Sequence, residues 1–226
     1  MMHKKAFIFI FSSIFLFSCS RDRSLFQLID PGVSGIDFNN DIRINDSINI
    51  LDNEFTYNGA GVAVGDLNGD GLQDIYFCGN QVPNQCYLNK GGLRFEKITE
   101  AAGVQKTSGQ WSSGVTFVDI NGDGRQDIYV CDTMIHDPQK LRDLLFINQG
   151  NDEKGVPHFR EMGTEYGITD DNHNSISTFF DYDNDGDLDV VINNTNGPAS
   201  LLENTLMQEK VKPHFLRITL KGQQPN

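Results

Sequence analysis

The chain has 226 residues, of which 31 are Asp or Glu and 18 are Lys or Arg, for a formal charge of −13. Nothing basic accumulates that could release phosphate counterions, which argues against nucleic acid as a partner. A hydrophobic share of 38%, with 16 Phe and 22 Gly, excludes a disordered chain and allows a packed core with many turns, in one ordinary domain or a piece of a larger one.

The first residues, MMHKKAFIFIFSSIFLFSC, give a basic start (His3, Lys4, Lys5) and an apolar run from Ala6 to Phe17. That run is too short to span a bilayer comfortably and reads as an export signal. The sequence LFSC (Leu16 to Cys19) resembles a bacterial lipobox. The resemblance implies cleavage after Ser18, a lipid on Cys19 and an outer-membrane lipoprotein on the periplasmic or cell-surface side. Plain secretion and a membrane anchor are the other two readings. Removing residues 1–18 deletes two lysines and no acid, taking the charge from −13 to −15. Residues 19–37 read as a linker. The polar stretch Ser24 to Asn58 reads as a lead-in that seals the first repeat.

Three repeats follow. AGVAVGDL leads into DIYFCGN, QCYLNKG and LRFEKIT; SGVTFVDI into DIYVCDT, DLLFINQ and HFREMGT; ISTFFDYD into LDVVINN, ASLLENT and HFLRITL. These runs are rich in Val, Ile, Phe, Tyr and Thr and are bounded by Gly, Asn and Asp, so they read as four strands per repeat. Helical periodicity is confined to one-turn candidates such as Ile98 to Gly103. The repeats recur at 53 residues (Asp66 to Asp119) and 62 residues (Asp119 to Asp181). Such periods point to four-stranded units stacked about an axis. The fold class is therefore all-β, a β-propeller with about three four-stranded blades, at about 59–103, 112–167 and 175–213.

Between the first two strands of each repeat lies an acidic loop: GDLNGDGLQD, VDINGDGRQD and FDYDNDGDLD. Numbered from the first acid, positions 1, 3 and 5 are Asp66, Asn68 and Asp70; Asp119, Asn121 and Asp123; and Asp181, Asp183 and Asp185. Oxygens at alternate positions can wrap a hard cation, and Gly at position 6 permits the sharp reversal. Position 7 offers a backbone carbonyl (Leu72, Arg125, Asp187) and position 9 a further carboxylate (Asp74, Asp127, Asp189). Unneutralised, so many acids would repel one another. Three shared spacings favour Ca²⁺, about three ions, over Mg²⁺, which prefers a rigid octahedron. Zn²⁺ lacks any His/Cys spacing here. An EF-hand is excluded, because position 12 falls on Phe77, Val130 and Ile192 and the flanks are strands.

The first repeat, GVAVGDLNGDGLQDIYFCGNQVPNQCYLNKGGLRFEKITEAAGV, resembles the FG-GAP/VCBS repeats of integrin-type propellers. WSSGVTFVDINGDGRQDIYV and STFFDYDNDGDLDVVINN are similar to later repeats, and HFLRITLKGQQPN (214–226) to the start of an ASPIC/UnbV domain. The resemblance implies a seven-bladed propeller, calcium in each blade's first hairpin loop, an extracellular recognition role and, for many relatives, a Bacteroidetes-like lipoprotein setting. Three repeats are fewer than the about four to eight blades of a propeller, so the chain reads as a piece completed by further blades from a longer polypeptide.

An exported chain meets oxidants, and Cys78 and Cys86 flank the loop GNQVPN. They either bridge across it or remain two small thiols. Cys131 reads as a buried thiol. No catalytic motif is present: the histidines other than His3 (His136, His158, His173, His214) stand singly, and Ser112, Ser113 and His136 form no convincing triad. Asp187 is an acid–base candidate whose side chain is expected at the solvent. Trp111 reads as blade packing ahead of a ligand platform, and Cys131 to Asp143 is the best rim loop for a partner. The chain is expected to be non-enzymatic, recognising an extracellular protein or glycan. The alternatives are the propeller part of a secreted carbohydrate-active enzyme and a purely structural scaffold.

Overall fold

The computed structural model describes residues 24–46, 48–51, 56–106, 109–133, 142–168, 174–195 and 197–206. Cys19, His136, His173, His214, the middle of the 131–143 loop and the HFLRITL segment lie outside these residues.

Among the described residues, eleven strands form three antiparallel meanders. The first sheet runs β1 (Val62–Gly65), β2 (Asp74–Phe77), β3 (Gln85–Asn89), β4 (Phe95–Lys97). The second runs β5 (Ser112–Val118), β6 (Asp127–Asp132), β7 (Leu144–Asn151), β8 (Pro157–Glu161). The third contains β9 (Asn174–Phe180), β10 (Asp189–Asn194) and β11 (Ser200–Leu202). Each sheet is a blade of the propeller type, and the fold is all-β as the repeats predict. Among the described residues, helix is limited to single turns: α1 (Pro31–Ser34), α2 (Thr99–Ala102) and α3 (Gly163–Tyr166). The α2 turn falls where the sequence predicts one and stops at Gly103, whose φ of 74° is the left-handed cap that glycine adopts without a Cβ clash.

The blades stack face to face. Tyr76, Cys86 and Leu88 of the first pack against Ile128, Val130, Phe146 and Phe159 of the second. The alternate residues of the second blade, Tyr129, Cys131, Leu145 and Ile147, pack against Val190 and Ile192 of the third. The middle blade is thus covered on both sides, so DIYVCD is buried at all six positions. This explains why that strand reads as a continuous apolar run rather than an alternation. Trp111 is 7% exposed and belongs to the core, which removes it as a ligand platform.

The outer faces of the first and third blades differ. On the first, the lead-in lies across the sheet as the sequence predicts: Phe38 stacks on Phe77 at 4.9 Å, and the Tyr87 hydroxyl donates to Asp37. Asn40 and Asn80 exchange two hydrogen bonds. The packing extends back into the stretch read as a linker, since a Cβ on Gly35 would meet the Phe95 carbonyl at 2.5 Å. On the third blade, Ile176, Phe180 and Leu201 are 60%, 42% and 53% exposed. By register, Phe180 and Leu201 stand where the second blade has Val118 and Leu145, both buried.

The cysteines do not bridge. Cys78, Cys86 and Cys131 are free and buried. The register sets Tyr76, not Cys78, opposite Cys86, so the expected partners lie diagonal to one another. Burial pushes the Cys131 thiol well above its ordinary value, and Cys78 and Cys86 shift the same way for the same cause. All three therefore stay protonated and behave as small hydrophobes.

Candidate metal centre

Each acidic loop is the hairpin connection between the first two strands of its blade. The pairs Gly65–Asp74, Val118–Asp127 and Phe180–Asp189 close the loops, so position 9 is the first residue of the second strand in every copy. Positions 4 and 6 both adopt positive φ: Gly69 and Gly71 (76° and 83°), Gly122 and Gly124 (69° and 85°), Asn184 and Gly186 (68° and 106°). Only Gly, or Asn at lower cost, enters this region readily, which accounts for the N-G-D-G and N-D-G spellings.

The reversal brings loop amides onto the acids. Asp66 accepts from the N–H groups of Gly69 (2.7 Å), Asp70 (3.1 Å) and Gly71 (2.8 Å). Asp119 accepts from Asp123 (3.0 Å) and Gly124 (2.8 Å). Position 3 accepts from the position 5 N–H in all three loops, and position 5 from the position 7 N–H. Leu72, Arg125 and Asp187 are thereby fixed in the loop through their own N–H groups.

Position 9 is the anchor. Asp74 accepts from Leu67 N–H (2.9 Å) and Asn89 N–H (2.8 Å). Asp127 does so from Ile120 (3.1 Å) and Asn148 (2.8 Å), and Asp189 from Tyr182 (2.9 Å) and Asn204 (2.8 Å). All three anchors are buried. Burial, partly offset by these N–H donors, pushes the Asp74 and Asp127 carboxyls up to about 6.

The third loop brings its acids closest. Carboxylate oxygens of Asp181, Asp183 and Asp189 lie within 4.8 Å of one another. In the other two loops the position 3 residue is Asn, whose amide donates to the position 5 carboxylate: Asn68 to Asp70 and Asn121 to Asp123, both at 3.1 Å. Arg125 adds an ion pair to Asp123 at 2.7 Å. The donor set is all oxygen and carries excess negative charge in each loop, which suits a hard divalent cation.

Asp187 departs from expectation. It is 6% exposed rather than at the solvent. Leu72 and Arg125 at the same position are exposed. Of the other single candidates, Ser113 donates to the Cys131 carbonyl and His158 stands 3.6 Å from Asp152.

Sequence reasoning missed Asn89 on β3, Asn148 on β7 and Asn204 just beyond β11. Each ends its third-strand run (YLN, FIN, LEN), and that recurrence was the available signal.

Comparison with known proteins adds a family. Residues 66–130 match the FG-GAP-like repeat. A stretch of 152 residues, 66% of the chain, is 32% identical to cartilage acidic protein 1 of Xenopus tropicalis, and the match covers 22% of that protein's length. The segment holding the first two acidic loops, with the strands between them, therefore carries an FG-GAP-like repeat.

Proposed function

We propose that this chain is a calcium-stabilised propeller segment of an exported lipoprotein, used to recognise an extracellular protein or glycan without catalysis. The observation that carries the calcium reading is the convergence of Asp181, Asp183 and Asp189 within 4.8 Å, on a backbone frame repeated in the other two loops. Positions 1, 3, 5 and 9 supply carboxylate or amide oxygens, and the position 7 carbonyls of Leu72, Arg125 and Asp187 complete the set. When bound, the cation neutralises the loop and ties the hairpin together. Asp183 and Asp189 are already engaged by backbone amides, which supports a binding role over acid–base chemistry. Titration calorimetry tests this: three calcium sites are expected, and Asp119→Ala should leave two.

The open apolar face of the third blade supports a longer propeller completed by further blades, with seven as the number the resemblance implies. The lipid anchor rests on the LFSC sequence. Metabolic labelling with a fatty-acid analogue should mark the wild type and not Cys19→Ala; label on both would refute it. Glycan-array and surface-protein binding by the complete propeller tests the recognition role, and absence of any ligand would favour the scaffold reading.

A further inference from the structure

We infer that Asn148 and Asn204 are positioning residues that shape the first and second acidic loops, each from the blade that follows it, so that the cation affinity of these two loops depends on their joint with the next blade. This rests on the calcium reading above.

Leu67 lies between positions 1 and 3 of the first loop. Its N–H is held by Asp74 of its own blade, at 2.9 Å. Its carbonyl accepts from the Asn148 side-chain amide of the next blade, at 2.8 Å. The same amide donates to the Gln126 carbonyl (3.1 Å), and the Asn148 backbone N–H donates to Asp127 (2.8 Å). The Asn148 side-chain oxygen Oδ1 accepts from the Gly150 N–H (2.9 Å). This buried side chain therefore touches two loops at once and has no spare donor.

The second joint repeats the pattern. Ile120 lies between positions 1 and 3 of the second loop, its N–H held by Asp127. Its carbonyl accepts from the Asn204 amide at 3.0 Å, which also donates to Leu188 (3.2 Å), while the Asn204 N–H donates to Asp189. A continuous run of hydrogen bonds thus links Asp74, Leu67, Asn148, Asp127, Ile120, Asn204 and Asp189. The first loop has a further tie, since the Asn68 carbonyl accepts from Asn151 at 2.7 Å and its amide donates to Gly155. Two independent occurrences, with the same atoms in the same order, argue for a built connection. A loop held in its binding shape avoids the ordering cost that a loose loop meets on binding.

The test is hydrogen exchange of the full chain, followed loop by loop as calcium is added, with Asn148→Leu and Asn204→Leu. Asn148→Leu should weaken the first loop's calcium midpoint at least about fivefold and leave the third loop within about twofold. Asn204→Leu should weaken the second loop and spare the first. A change confined to the variant's own blade, or an equal change in all three loops, overturns the inference. Should Asn148→Leu fail to fold, Asn204→Leu at its half-buried joint decides alone. If calcium protects no loop in the wild type, the calcium reading fails by itself. The joint is then read without calcium: amides 69–71 should exchange faster in Asn148→Leu, with the third loop unchanged, and no acceleration overturns it.

Discussion

The two ends of the joint between the first and second blades solve the same problem in opposite ways. At the loop end, the acidic loops of both blades meet at buried Asn148, and on the proposed reading their charge is met by a cation from outside. At the far end the chain supplies its own cation. Lys106 donates to the carbonyls of Gly79, Asn80 (2.7 Å) and Gln110 (2.7 Å), so its ammonium spans first-blade backbone and the approach to the second. Burial lowers it to about 8, with Asp132 pulling the other way. Asp132 is fully buried at that end, beside the Ser112 and Gln110 side chains. Its N–H donates to Asp143, which also accepts from the Tyr129 hydroxyl. Burial pushes Asp132 up to about 7, Lys106 only partly opposing this. The loop end should therefore answer to added cation and, through Asp74 and Asp127, to pH, and the far end to pH alone.

The largest expected effect comes from removing calcium. A cation binding only the native state at 100 times its Kd contributes about 2.7 kcal/mol per site, so three filled loops should contribute about 8 kcal/mol. Urea melts with excess calcium and with chelator read this difference. Next is Lys106→Met, which keeps the stem but strands three carbonyls at the other end. It should cost about 3 kcal/mol, and the same cost should appear with and without calcium. A calcium-dependent cost would show that the two ends are not separable.

The third effect concerns pH. Asp132 has a folded pKa raised above its unfolded value of about 3.8, so the folded state holds the extra proton. Its stabilising contribution is full below about pH 4 and is lost as pH rises to about 7. Asp132→Asn should gain about 2 kcal/mol on the wild type at pH 8 and little at pH 4, as read by urea melts across pH. The smallest effect sharpens the contrast among the loops. Asp183→Asn gives the third loop the amide of the other two, which should stabilise the cation-free protein by about 1 kcal/mol and weaken its calcium site about five- to tenfold. Titration calorimetry and a melt in chelator check both signs.

Much of the blade architecture was legible because turn chemistry punctuates it. Gly at position 6 and Asp at position 9 mark where each hairpin reverses and where its second strand starts. The TEAAG run showed the one-turn helix for the same reason. Facing was harder to read, since a strand such as DIYVCD, buried on both sides, offers no period-2 signal. The register that separates Cys78 from Cys86 depends on the turn geometry of the intervening loop, which spacing alone does not fix. Lys106 was illegible for another reason: its partners are backbone carbonyls, which carry no residue signature. Asn148 and Asn204 were visible as letters, but their role appears only once the next blade is in place.

The central claim is that the clustered acids hold cations, and anomalous diffraction from crystals grown with calcium tests it most directly. A calcium peak is expected about 2.3–2.6 Å from carboxylate oxygens of Asp181, Asp183 and Asp189, with matching peaks in the first and second loops. Loops with no anomalous signal at saturating calcium, in the same backbone conformation, would contradict it.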